Sequence, residues 1–94
     1  MKKEDKLKRL VELFKTASDE NRLKILCEIF EGKGLCVSDL AERFGLSVAI
    51  TSHHLKAMEK AGILSGSRSG KKICYKLSGD TFAGDLKKII CKHK

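Results

Sequence analysis

The chain has 94 residues, with 20 Lys and Arg against 12 Asp and Glu and a formal net charge of +8. This length predicts a single domain (1–94) with a small core, which burial between the subunits of an oligomer would extend. The positive charge favours an anionic partner, with nucleic acid as the leading candidate. No apolar run approaches the roughly 18 residues of a membrane span, and the N-terminal segment lacks the apolar stretch of a signal peptide. We therefore expect a cytoplasmic protein without a membrane partner.

Apolar residues at helical spacing predict three helices in the first half of the chain. The three sets are Leu7, Leu10, Val11 and Phe14; Leu23, Leu26, Cys27 and Phe30; and Val37, Leu40, Ala41 and Phe44. Ser18 is expected to cap the second helix, which ends at Gly32-Lys33-Gly34. Gly45 suits the left-handed position that ends the third helix.

A fourth helix is predicted to begin after Ser47, which is a good N-cap. The tight turn before it gives residues 37–62 the spacing of a helix-turn-helix. The side in the direction of Val48 is expected to face the core, and it carries Thr51, Ser52, Leu55 and Met58. The opposite side has no acid, and it carries Ala49, Ile50, His53, Lys56, Ala57 and Lys60. Such a face fits a DNA major groove because Lys neutralises phosphates and His reaches base edges, whereas the alternative is an ordinary solvated face.

A basic β-hairpin is predicted over residues 63–77. Ile63 and Leu64 begin a strand, Ser69-Gly70 supply a turn, and a returning strand alternates through Ile73, Cys74, Tyr75, Lys76 and Leu77. Helical spacing then recurs at Phe82, Leu86, Ile89 and Ile90. The sequence therefore predicts a mainly α winged helix-turn-helix with a small β-hairpin, in the order α-α-α-α-β-β-α.

Three segments resemble motifs of one family of regulators. Residues 18–26 (SDENRLKIL) resemble SDxxRLxIL, residues 35–41 (LCVSDLA) resemble LCVCDLA, and residues 51–56 (TSHHLK) resemble VSHHLK. These are motifs of the ArsR/SmtB family of small dimeric winged-helix transcriptional repressors. The resemblance implies a homodimer built from the first and last helices, in residues 1–17 and 79–94. It also implies that the fourth helices enter successive major grooves of a palindromic double-stranded operator, with the wing of residues 68–72 against the backbone or minor groove.

This comparison gives two sets of expected contact residues. The expected DNA contacts are Ser47, Ala49, Ile50, Ser52, His53, Lys56, Lys60, Arg68, Lys71 and Lys72. The expected dimer contacts are Leu7, Leu10, Phe14, Phe82, Leu86, Ile89 and Ile90. Family members often have Gln, Ser or Thr where this chain has Val48, Ala49 and Ile50, so base readout would rest on Ser47, Ser52, His53 and DNA shape. An alternative is a winged-helix interaction module whose apolar helix end docks on protein, without an inducer.

The four cysteines, Cys27, Cys36, Cys74 and Cys91, have neither C-x-x-C nor zinc-finger spacing. Cys27 and Cys91 resemble the two thiols of the persulfide- and oxidant-sensing SqrR/BigR branch of the family. Cys91 lies off the apolar stripe of its helix, beside Lys87 and Lys88, whose charge favours a thiolate. The resemblance implies that a small inducer, a persulfide or an oxidant, modulates operator binding through this pair.

Two alternatives to that switch remain open: a sensor of thiophilic metals or metalloids that uses Cys36, and no chemical sensing through cysteine. Ser38 stands at the second thiol position of the family's metal sites, so a site at Cys36 is incomplete. We therefore expect no resident metal or cofactor, and we expect Cys74 to be an exposed or half-buried strand residue. A catalytic function is excluded because the chain has no Gly-rich phosphate loop and no paired-carboxylate motif, and it is too short to enclose a substrate.

Overall fold

The computed structural model describes residues 2–32 and 35–93. Within these ranges the elements follow the order α1 (Lys3–Ala17), α2 (Glu20–Gly32), β1 (Leu35–Cys36), α3 (Val37–Phe44), α4 (Val48–Lys60), β2 (Leu64–Ser69), β3 (Lys72–Leu77) and α5 (Thr81–His93). The predicted winged helix-turn-helix is confirmed. Met1, Lys33, Gly34 and Lys94, which belong to the predicted domain and helix end, lie outside the described residues. No helix in the described ranges is long and apolar enough to cross a bilayer.

The strands form a three-stranded antiparallel sheet in the order β1-β3-β2, where the sequence predicted a two-stranded hairpin. The β2–β3 hairpin of this sheet is called the wing below. β2 and β3 form that hairpin, from the pair Leu64 and Leu77 to the pair Ser69 and Lys72, and Gly70 turns at a φ of 63°. In the part of the chain that the structure describes, β1 adds two residue pairs to β3. A two-residue strand has no periodicity of its own, so its pairing follows from where α2 ends and α3 begins.

The core lies where α2, α3 and α4 pack against the inner face of the sheet. Its fully buried aliphatic and thioether side chains are Ile25, Leu26, Ile29, Leu40, Leu55, Met58 and Ile63. Burial of each such side chain stabilises the fold by about 1.5–3 kcal/mol. Tyr75 closes the core from β3. This packing holds the helix-turn-helix and the wing in one unit.

The ends of the helices follow local chemistry, with one shift from the prediction. Gly45 ends α3 in the left-handed conformation, at a φ of 64°, as expected. Ser18 does not cap α2: it follows the last residue of α1, and its hydroxyl donates to the Lys15 carbonyl at 3.0 Å. Asp19 caps α2 instead, because its Oδ1 accepts from the Arg22 amide at 3.0 Å. Both residue types are good caps, so the sequence alone did not separate neighbouring positions.

One aspartate joins the first and last helices. The Oδ1 atom of Asp80 accepts from the Phe82 amide at 2.8 Å and so caps the start of α5. Its Oδ2 atom contacts the Arg9 guanidinium of α1 at 2.7 Å. The same guanidinium lies 5.5 Å from the centroid of the Phe82 ring. These contacts hold α1 beside the start of α5.

Candidate nucleic-acid interface

Ser47 caps the start of α4, because its Oγ accepts a hydrogen bond from the Ile50 amide at 3.0 Å. Thr51 is fully buried, and its hydroxyl donates to the Ser47 carbonyl at 2.9 Å. Leu55 continues the buried side, as predicted. Val48, which we placed in the direction of the core, is 58% exposed. Helical side chains lean toward the N-terminus, so a residue in the first turn projects past the packed part of the helix.

The outward face of α4 is open to solvent. The exposed residues are Ala49, Ile50, His53, Lys56 and Lys60, and Ser52 is half-buried. Ile50 is 50% exposed, so an apolar group stands among the polar ones. The wing adds Arg68, Lys71 and Lys72, all exposed around the Gly70 turn. The structure therefore places the predicted DNA-contact residues on the surface of two elements that are chemically suited to phosphate.

The one acid of α4, Glu59, is directed to the wing. Its Oε2 accepts from the Gly66 amide at 3.0 Å, which joins the end of α4 to β2. A Cβ atom at position 66 would lie 2.7 Å from that oxygen and 2.8 Å from Cε1 of Tyr75, so only glycine allows this approach. Burial, followed by the charge of Glu59, raises the pKa of Tyr75. The predictions from the sequence did not include this contact, although a glycine inside a strand is a signal of close approach.

A second missed contact ties α2 to α4. The Nε of Arg22 donates to Nδ1 of His54 at 3.1 Å, and Nη1 of the same guanidinium donates to the Thr16 carbonyl at 3.1 Å. Burial lowers the pKa of His54, and the nearby Asp19 opposes that effect in part. The hydrogen bond from Arg22 requires an unprotonated Nδ1 on His54. His54 therefore holds α4 against α2, whereas its neighbour His53 is exposed to solvent.

The cysteines divide into a free pair and a bonded pair. Cys27 is half-buried and Cys91 is exposed, and both are free thiols. Cys27 lines an apolar groove between α1, α2 and α5, together with Ile90 and His93.

Cys36 and Cys74 form a disulfide across β1 and β3. Cys74 is half-buried as expected, but it is not merely a strand residue. In this structure the disulfide occupies the Cys36 sulfur on which the metal-sensor alternative depends. Within residues 2–32 and 35–93, no group of three or more His, Cys, Asp or Glu side chains is placed to hold a metal ion.

Comparison with known proteins decides the family. The model described as "Bacterial regulatory protein, arsR family" matches residues 19–65, from the cap of α2 to the start of the wing. The chain belongs to this family. Among relatives of the arsR-family chain, the cadmium resistance transcriptional regulatory protein CadC of Listeria innocua is 45% identical over 62 residues, which is 66% of this chain and 52% of CadC. The transcriptional repressor SdpR of Bacillus subtilis is 38% identical over 66 residues, which is 70% of this chain and 72% of SdpR.

The fold agrees with solved structures of similar size. Reduced HlyU from Vibrio cholerae superposes with a TM-score of 0.83 at 27% identity, covering 95% of this chain and 92% of HlyU. The arsR-family chain spans about half the length of CadC, at 52%. CadC and SdpR are transcriptional regulators rather than enzymes, in agreement with the exclusion of catalysis from the sequence. These similarities do not separate the SqrR/BigR branch from the metal-sensing members, so that assignment stays a prediction.

Proposed function

We propose that this arsR-family chain is a homodimeric repressor that binds a palindromic operator through α4 and the wing. The observation that carries the proposal is the outward face of α4, where His53, Lys56 and Lys60 are exposed and the one acid of the helix is bonded to the wing. Lysines on such a face neutralise phosphates, and His53 reaches base edges. The repressor named SdpR, which shares 38% identity over 66 residues, supports the same function.

The proposed dimer supplies a second copy of α4, the proposed recognition helix. α1 and α5 leave large apolar side chains exposed, with Phe14 60% and Ile89 53% accessible to solvent. Burial of this face against a second copy would form a two-fold pair. A two-fold pair presents two α4 helices, which contact two half-sites when they lie about one DNA turn apart. The palindromic operator follows from that symmetry.

The proposal also assigns modulation of operator binding to cysteine chemistry at Cys27 and Cys91. Both are free, and Cys27 lines the groove between α2 and α5, the helix that carries Cys91. The alternative sensor of metals or metalloids has the cadmium-resistance relative CadC in its favour. It is less well supported by this chain, because Cys36 is bonded to Cys74 and Ser38 replaces a second thiol.

The test is a titration of duplex DNA at several salt concentrations. Replacing His53 and Lys56 together with Ala should weaken binding at least about tenfold, because it removes a phosphate contact and a base contact. Lys71→Ala should lower the slope of log affinity against log salt by about one. Lys24→Ala, which removes the same charge from α2, should leave the affinity and the slope unchanged. Unchanged affinity in the α4 and wing variants, or no dependence on salt, would instead favour the protein-interaction module.

A further inference from the structure

The disulfide between Cys36 and Cys74 joins the two parts of the proposed DNA-binding surface. Cys36 directly precedes α3, the first helix of the helix-turn-helix, and Cys74 lies in β3 of the wing. The two cysteines are 38 positions apart in the chain and directly opposite each other in the sheet. In a reducing compartment, a disulfide between such residues is usually transient and serves a redox-sensing role.

We propose that Cys36 and Cys74 are a reversible redox pair, closed by hydrogen peroxide or an organic hydroperoxide and opened by a dithiol, and that closure tightens DNA binding. The inference rests on the proposed function, since it concerns regulation of the same surface. It is separate from the proposed chemistry at Cys27 and Cys91, because those thiols lie on α2 and α5.

The surroundings of the pair favour this chemistry. Cys36 and Cys74 are both half-buried, so a small peroxide reaches them. Alternation along β3 places Lys72 and Lys76 on the same face of the sheet as Cys74, and both lysines are exposed. Their positive charges favour the thiolate, which is the reactive form of cysteine. Cys36 occupies the N-cap position of α3, where the helix dipole also favours negative charge.

The reaction proceeds in two balanced steps. The Cys74 thiolate attacks one peroxide oxygen, the O–O bond breaks, and the sulfenic acid of Cys74 forms as the other oxygen takes a proton from solvent and leaves as water or an alcohol. The Cys36 thiolate then attacks the sulfenic sulfur, the S–S bond forms, the S–O bond breaks, and the hydroxyl group takes a proton from solvent and leaves as water. The two thiols lose two electrons and the peroxide gains them. A dithiol reverses the change by exchange and becomes a cyclic disulfide itself.

Closure has a mechanical consequence because the non-covalent connection at this point is short. Among residues 2–32 and 35–93, β1 pairs with β3 at two positions, Leu35 with Tyr75 and Cys36 with Cys74. α3 begins at the next residue and packs against α4. The disulfide therefore adds a covalent link between the wing and the start of α3 to the packing that already joins the wing to α4, and α4 and the wing must contact one duplex together. Pre-organisation of two contact elements lowers the ordering cost of binding, so the closed form binds DNA more tightly.

The test uses the full chain with Cys27→Ala and Cys91→Ser, which leaves the Cys36 and Cys74 pair alone. One sample is treated with hydrogen peroxide and one with dithiothreitol, and peptide mapping by mass spectrometry identifies the disulfide. Each sample is then titrated with a mixed-sequence duplex of about 30 base pairs, long enough for two half-sites. We expect the oxidised form to bind roughly three- to tenfold more tightly. The matched control adds Cys36→Ser and Cys74→Ser, and its affinity should be the same after both treatments.

Because the two redox forms share one sequence, the comparison does not depend on how well the control variant folds. Equal affinities of the oxidised and reduced forms, weaker binding by the oxidised form, or no Cys36–Cys74 disulfide after peroxide would overturn the inference. In each of these cases salt-dependent binding of the reduced form would still uphold the proposed function. Loss of salt-dependent binding in both forms would overturn the proposed function itself.

Discussion

At the residue scale, the hydrogen bond from Arg22 to His54 is an internal connection whose strength depends on pH. Arg22 Nε donates to His54 Nδ1 at 3.1 Å. A proton on Nδ1 of His54 would remove the acceptor and place a positive imidazolium beside the positive guanidinium, and the two would repel each other. Burial lowers the pKa of His54 below its usual value of 6.5. The unfolded chain therefore takes up this proton first as the pH falls. The contribution of the neutral His54 to the free energy of unfolding is complete above pH 6.5, the pKa of His54 in the unfolded chain. It is lost as the pH falls from that value through the lower pKa of His54 in the folded protein.

We predict that His54→Asn makes stability less dependent on pH. Asparagine offers an acceptor oxygen near the position of Nδ1 but does not titrate. At a pH of about 7.5 the variant should lose at most about 1 kcal/mol, the usual contribution of one hydrogen bond, because the asparagine oxygen can still accept from Arg22. At a pH of about 5.5 the difference from the parent should shrink, because the unfolded parent binds a proton on His54 more readily than the folded parent, whose His54 pKa is lowered. Urea denaturation of both proteins measures the change.

The same pair of measurements contains its own control. Asp19 also has a lowered pKa, held there first by the hydrogen bond from the Arg22 amide, and it titrates below 3.8, outside the compared range. His53 and His93 are present in both proteins, so neither distinguishes the variant from the parent. A difference in stability that stays constant between the two pH values would show that His54 is not protonated differently on unfolding.

At the element scale, Cys27 of α2 faces a groove that is also lined by residues of α5. Cys27 lines this groove beside Ile90 and His93, whereas Cys91 is exposed on α5. Thiolate character and exposure govern oxidation, so Cys91 is the thiol that a persulfide meets first. A bridge between the two would tie α2 to the proposed dimer helix α5. Such a link would change the spacing of the two recognition helices.

We predict that an organic persulfide or polysulfide links Cys27 to Cys91 and alters DNA affinity. The experiment uses Cys36→Ser and Cys74→Ser, so that only this pair reacts, and reads the bridge by mass spectrometry and the affinity by DNA titration. Further addition of Cys91→Ser should abolish both effects. Unmodified thiols together with stoichiometric binding of Cd²⁺ by the parent protein would contradict the prediction and support the metal sensor.

At the scale of the whole molecule, α1 and α5, which are distant in sequence, together expose four large apolar side chains. Leu7, Val11 and Phe14 of α1 and Ile89 of α5 are each about half exposed or more. Leu10, Phe82, Leu86 and Ile90 are partly buried against the core. Contiguous exposed apolar surface of this kind marks an interaction site. The seven predicted dimer residues thus lie on α1 and α5 as expected, and the dimer itself stays a proposal.

We predict that Phe14→Ser and Ile89→Ser each weaken dimerisation by about 10- to 100-fold, the effect of losing one well-buried contact residue. Sedimentation equilibrium measures the dissociation constant. Ile50→Ser is the matched control: Ile50 is 50% exposed, similar to Ile89, but it lies on α4. Its dimerisation should be unchanged while its DNA binding changes. Dissociation caused by Ile50→Ser alone would place the interface on the recognition helix.

The sequence by itself determined the helices α1 to α5, the end of α3 at Gly45, the start of α4 after Ser47, and the order of the elements other than β1. Periodicity and caps are local properties, and each depends on a few neighbouring residues. The family motifs agreed with the same segments, since they include the cap of α2 and the buried side of α4. The exposed positions of His53 and Lys56 followed from their angle on one helix.

Only the tertiary structure decided which distant residues meet. The disulfide joins positions 38 apart, Glu59 approaches Gly66 across an element boundary, and Arg22 reaches His54 from another helix. A two-residue strand such as β1 has no pattern that predicts its partner. These contacts depend on how packed elements bring separate segments into register, and the spacing of residues within any one segment does not contain that information.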